Sequence, residues 1–164
     1  MNIKMTMKKI VFVMMSLVCL CTGCGDDADD YVSVLPSFSD ITFDTDQLYT
    51  GMTVTATAVQ ATKGVLLDRT TYDWTVDDTT STSVRVVYDN DNGDPVFKFK
   101  VPKVAVKKPS SITVRFEGRY NVSGQGCRAA ESEHAAGLSV QSIPSPITGT
   151  VILSKTFTVY PSAD

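Results

Sequence analysis

The sequence predicts an all-β fold, a two-sheet antiparallel β-sandwich of about seven strands, and three observations carry that reading. β-Branched and aromatic residues alternate with polar ones at period two. Turn residues punctuate that alternation about every ten to fifteen positions. No window sustains a helical period, apart from a short possibility at Ala129–Ala136. The strands belong to residues 38–164, and a leader and a tether precede them.

The leader comes first. Lys4, Lys8 and Lys9 make a positive start, and Ile10 to Leu20 is apolar but for Ser16. The small pair Thr22-Gly23 follows. That is the layout of a secretory signal peptide, and the apolar run is too short to span a bilayer. Residues 1–23 are therefore expected to be removed. Cys21-Thr22-Gly23-Cys24 resembles the lipobox of bacterial lipoproteins, with Cys21 standing where that pattern usually has leucine. The resemblance implies that Cys24 is acylated and becomes the first residue of the mature chain. Asp26, Asp27, Asp29 and Asp30 follow it, and the run is similar to the acidic export signal of surface lipoproteins in one group of Gram-negative bacteria. Residues 24–37 are expected to form an acidic tether, held extended by repulsion among its carboxylates. The implied location is the outer membrane, lipid-anchored and exposed at the cell surface.

Loss of the leader changes charge and cysteine content together. The chain has 15 Lys and Arg against 18 Asp and Glu; without Lys4, Lys8 and Lys9 there are 12 against the same 18, a net charge of −6. Bulk charge therefore argues against nucleic acid as a partner. Cys19 and Cys21 leave with the leader and Cys24 is taken by lipid. Cys127 is then the one remaining thiol, so no disulfide can form within the mature chain and packing must supply the stability.

The strands read in order. Ile41 and Phe43 alternate with Thr42 and Asp44. Met52 to Val59 places threonines on one face and apolar residues on the other, and Lys63-Gly64 turns the chain. Tyr72, Trp74 and Val76 point one way, followed by Val84, Val86 and Tyr88. Val96 to Val101 turns phenylalanine inward and lysine outward. Ile112 to Tyr120 is the clearest strand, and the last runs from about Val151 to Val159. Between them, Asn121 to Thr148 is expected to be a long loop, pliable at Gly124, Gly126 and Gly137.

Trp74, the single tryptophan, is the expected core anchor. Its place on the third strand resembles the core aromatic of immunoglobulin-like domains. Tyr72-Asp73-Trp74 is similar to the matching strand of polycystic-kidney-disease (PKD)-type domains. Those domains tend to continue into Gly-Asp-Gly, where this chain has Val76-Asp77-Asp78-Thr79. The resemblance implies an Ig-like or PKD-like sandwich and no reaction.

Candidate chemistry is sparse. Asp89 to Asp94 invites calcium, but placing Gly93 at the sixth position of an EF-hand loop puts Tyr88 first and Phe99 last, so the register fails. Asn92-Gly93 is instead the favoured dipeptide of a tight hairpin. Cys127 and His134, with Glu131 and Glu133 nearby, could be a nucleophile and base, yet no positioning motif accompanies them. They are read as part of a partner-binding loop. Lys98, Lys100, Lys103, Lys107 and Lys108 are read as guards of a sheet edge. No catalytic residue, metal site or cofactor is expected. The functional expectation is a non-enzymatic, lipid-anchored module for binding or assembly, its partners the membrane through its lipid and other surface proteins or glycans. A carbohydrate-binding accessory protein is the alternative, for which Tyr31, Tyr49, Tyr88 and Tyr160 are candidate sugar contacts. A small hydrolase built on the 121–148 loop is the third reading.

Overall fold

The structure, a computed structural model, describes residues 31–77, 82–88, 95–103 and 109–162. Cys24, the aspartates of the acidic run, Asp89 to Asp94, Lys107 and Lys108 lie outside the described residues. Among the described residues there are eleven strands and no α-helix. In chain order they are β1 (Val32–Val34), β2 (Ser37–Phe43), β3 (Leu48–Tyr49), β4 (Thr53–Thr62), β5 (Leu67–Asp77) and β6 (Thr82–Tyr88). Then come β7 (Val96–Lys100), β8 (Ser110–Val122), β9 (Gly126–Arg128), β10 (Leu138–Ile143) and β11 (Thr148–Tyr160).

They form three sheets. β2, β4 and β7 make an antiparallel sheet in that order. A six-stranded sheet runs β10-β11-β8-β5-β6, with β3 joined in parallel to the end of β11. β1 and β9 form a small parallel pair. The first two sheets share one hydrophobic core, an arrangement consistent with a β-sandwich.

The core follows from the period-two alternation. β8 buries Ile112, Val114, Phe116 and Tyr120 and turns Arg115 and Arg119 to water. β4 contributes the small Ala56 directly opposite Phe97 of β7, which leaves that ring room to reach the other sheet. There Phe97 stacks on Trp74 at 5.8 Å between centroids, and Phe38 meets Phe116 at 5.1 Å. Trp74 is fully buried and lies beside Phe116, its partner on β8, at 4.9 Å. Tyr120 is buried next to Tyr72, and burial first, then the neighbouring phenol, push its pKa well above the ordinary 10.

On the outer face of the large sheet Asp73 and Glu117 stand directly opposite one another. Arg119 bridges these like charges, with Nε 2.7 Å from Glu117 and Nη1 3.6 Å from Asp73. Such exposed pairs are worth about 0–1 kcal/mol each. β7 is the last strand of its sheet among the described residues, and Lys98 and Lys100 project from it into solvent, as an edge guard requires.

Three expectations are corrected. Residues 31–37, expected to belong to the tether, are part of the folded unit. Val32–Val34 pairs with Gly126–Arg128, and Leu35 is 0% exposed. Ala129–Ala136 is not helical: a lone turn cannot repay helix nucleation, and the Ala135 N–H donates instead to Ser39 O at 3.2 Å. Asn121 to Thr148 is not one long loop. β8 extends to Val122, β9 pairs with β1, and β10 pairs with β11 over six residues. Those short strands, with β3, raise the count above seven.

Asp44 closes the end of the β2–β4 ladder with its side chain. Its Oδ1 accepts the Thr55 N–H at 2.9 Å while its own N–H donates to Thr55 O at 3.1 Å. The bond from the Thr55 backbone lowers the Asp44 pKa below the ordinary 3.8. Folded pKa below unfolded means that the contribution to stability is complete above 3.8 and lost as pH falls through the folded value. An NMR titration should therefore find the Asp44 carboxylate changing state below 3.8, together with the Thr55 amide. A midpoint at or above that value would mean the bond does not form.

Candidate functional site

Where the chain crosses from one large sheet to the other it leaves a groove. β2 ends at Phe43 in the three-stranded sheet, and β3 begins at Leu48 beside the end of β11 in the six-stranded sheet. The residues between them bend around Asp44 to Gln47, where Thr45 Oγ1 donates to Gln47 O at 3.1 Å. β2, this bend and β11 from Lys155 onward line about 490 Å³ open to solvent. That is within the roughly 300–1,000 Å³ typical of small-molecule sites.

Its floor is aromatic. Phe43 packs edge-on to Phe157 at 4.6 Å and lies 6.1 Å from Phe99. Across it runs an ion pair between Lys155 Nζ and Asp40 Oδ1 at 2.5 Å, with the side chains 19% and 26% exposed. The same Asp40 oxygen accepts the Ile41 N–H at 2.7 Å, and Lys155 Nζ sits 5.4 Å from the Phe157 ring centroid. Both charges are thus oriented by partners, which makes their geometry reproducible at modest net energy.

The rim is polar and aromatic. Gln47 and Tyr160 line it, and Tyr49, just outside the lining, backs both: its hydroxyl donates to Gln47 Oε1 at 2.6 Å and its ring lies 6.0 Å from that of Tyr160, inclined at 45°. Both tyrosines are 37% exposed. Asp46, also on the lining, is exposed. The groove therefore combines aromatic surface, a side-chain amide, two carboxylates and an ammonium. It can hold a small polar ligand with one apolar face.

Of the residues singled out in the sequence, Tyr160 lines the groove and Tyr49 packs beside it. Tyr31 is 61% exposed at the other end of the folded unit, and Tyr88 lies on β6. Trp74 is a core residue and reaches no surface. Cys127 lies on β9 opposite Ser33, partly buried against the core, and burial pushes its thiol pKa up. An activated cysteine needs the opposite shift. His134 is exposed, with Nδ1 3.4 Å from Ser132 Oγ, whereas the Cys127 thiol faces Arg128 O at 4.0 Å. Among the described residues no group of three or more His, Cys, Asp and Glu is placed to hold a metal ion.

Sequence reasoning missed the groove, although one signal was present. Lys155 occupies the inward phase of β11, in series with Val151, Leu153, Phe157 and Val159. A lysine on the apolar phase of a strand marks a place where the core opens. No family model matches the chain, and comparison with curated proteins and with solved structures finds no match.

Proposed function

We propose that this chain is an exported lipoprotein, cleaved before Cys24 and anchored there in the outer membrane. In this reading its Ig-like sandwich binds a ligand and catalyses no reaction, and Asp26, Asp27, Asp29 and Asp30 direct it to the cell surface. The anchoring half rests on the leader and on the lipobox-like Cys21 to Cys24. The Ig-like half is supported by strand order. β2, β4 and β7 on one sheet and β11, β8, β5 and β6 on the other follow the A-B-E and G-F-C-C′ arrangement of Ig sandwiches. Trp74 then falls on the C strand, where Ig domains bury a tryptophan. β10, on the outer side of β11, is an addition to that plan.

The groove beside Lys155 carries the binding reading. A saccharide is the ligand class it suits best. A sugar ring offers a C–H face to an aromatic surface such as Tyr160, and hydroxyls to amide and carboxylate groups such as Gln47 and Asp46. The exposed Tyr160 ring on the groove lining favours this glycan-capture reading over a purely assembling role.

The test is a calorimetric titration of the mature chain against a panel of neutral oligosaccharides. Tyr160→Ala and Gln47→Ala should each weaken the best binder about tenfold, or roughly 1.4 kcal/mol. Neither should alter the thermal midpoint appreciably, because both side chains are exposed. Undiminished binding by both variants would remove the groove from the account.

A further inference from the structure

The end of the folded unit where the chain enters is apolar and exposed, and backbone bonds tie its parts together. Val34 and Val65 exchange N–H···O bonds of 3.0 and 2.9 Å. Gln125 N–H donates to Tyr31 O at 2.7 Å, and Val122 N–H to Ile147 O at 3.1 Å. Leu67 pairs with Val122, which completes the circuit. Tyr31 is 61%, Val65 52%, Leu66 40% and Ile147 77% exposed, so four large apolar side chains stand in solvent at one end of the strands. Exposed apolar side chains gathered at one end of a fold offer a surface for an apolar partner.

Leu66 adds a second observation. Its φ is +53°, the left-handed region that a leucine avoids. Two bonds hold it there, because Leu66 O accepts both Ser33 Oγ at 2.6 Å and Ser123 N–H at 3.0 Å. Ser33 is fully buried and its hydroxyl oxygen also accepts the Gly124 N–H at 2.9 Å. The fold thus spends a buried serine on keeping an exposed leucine in a strained turn.

We infer that this end is a membrane-seating surface, with the lipid bilayer as its occupant. The inference rests on the anchoring reading, which supplies the distance argument. From Cys24 to Tyr31 is seven residues, a reach of at most about 25 Å even when fully extended. A lipid on Cys24 therefore keeps the apolar end within that distance of the bilayer surface. The mature chain carries net charge −6, so its attraction to lipid is through apolar burial and not through bulk charge. Orientation follows from β11, whose 13 residues run from Thr148, next to Ile147, to Tyr160 at the groove. At 3.3 Å per residue the β11 side of the groove begins, at Lys155, roughly 23 Å along the strand from the seated end and closes, at Tyr160, roughly 40 Å from it.

The test uses the lipidated mature protein, beginning at Cys24 and carrying Cys127→Ser, reconstituted into phosphatidylcholine vesicles. An environment-sensitive fluorophore is attached through Ile147→Cys, or through Lys100→Cys as the control near the groove end. The Ile147→Cys label should shift to the blue and be quenched several-fold by brominated lipid, equally at low and high salt. The Lys100→Cys label should do neither. Identical, water-like emission from both labels on protein that floats with the vesicles overturns the seating and leaves the anchoring intact. Failure to float, with no acyl group on Cys24, overturns the anchoring and the seating with it. A blue shift that follows protein concentration in detergent micelles assigns the end to a second copy of the chain and also overturns the proposal.

Discussion

Replacing Trp74 by alanine should cost the folded unit about 3–5 kcal/mol, a large share of a typical domain's roughly 5–15 kcal/mol. The indole is 0% exposed and touches both sheets. It stacks on Phe97 from the three-stranded sheet and tilts against Phe116 within its own. Collapse of neighbours into the vacated space is limited, because Phe97 already fills the volume opposite Ala56 and Phe116 is tied to β5 and β11 on either side. Urea unfolding of the mature chain measures the loss directly. A cost below about 1 kcal/mol would mean that the two sheets do not meet at this ring.

Leu35→Ala should cost about 2–5 kcal/mol, which separates a folded N-terminal segment from a tether. Leu35 is fully buried, and its N–H donates to Arg128 O at 3.0 Å. Its side chain fills the space above Gly149: a Cβ built there would lie 2.8 Å from Leu35 Cδ1 and 2.9 Å from Cγ. Gly149→Ala alone should therefore destabilise by forcing the leucine out. In Leu35→Ala with Gly149→Ala the new methyl enters the vacated space, so the double variant should lose less than the sum of the two singles. If Leu35→Ala is neutral, residues 31–37 do not pack as described.

The legible parts of the fold were those written in period two. Tyr72, Trp74 and Val76 share one face as their alternation requires, and so do Ile112 through Tyr120. What alternation could not reveal was pairing by short segments. Val32–Val34 and Gly126–Arg128 are three residues each, below the length at which periodicity is a signal, and they find one another across the chain. Leu138 to Ile143 alternates but buries neither face fully, because it lies at the margin of its sheet. The groove was hidden for a related reason. Asp40 and Lys155 are 115 positions apart, and only the packing of β2 against β11 brings them together. Lys155 alone, a charge on an apolar phase, announced that something polar lay inside.

Anchoring at Cys24 is the claim on which location, orientation and the seating of the apolar end all depend. Cells expressing the full chain or Cys24→Ala are labelled with radioactive palmitate and fractionated. The account predicts label on the full chain alone, with that protein in the outer-membrane fraction and the variant released from it. Label and membrane retention that survive Cys24→Ala would contradict it.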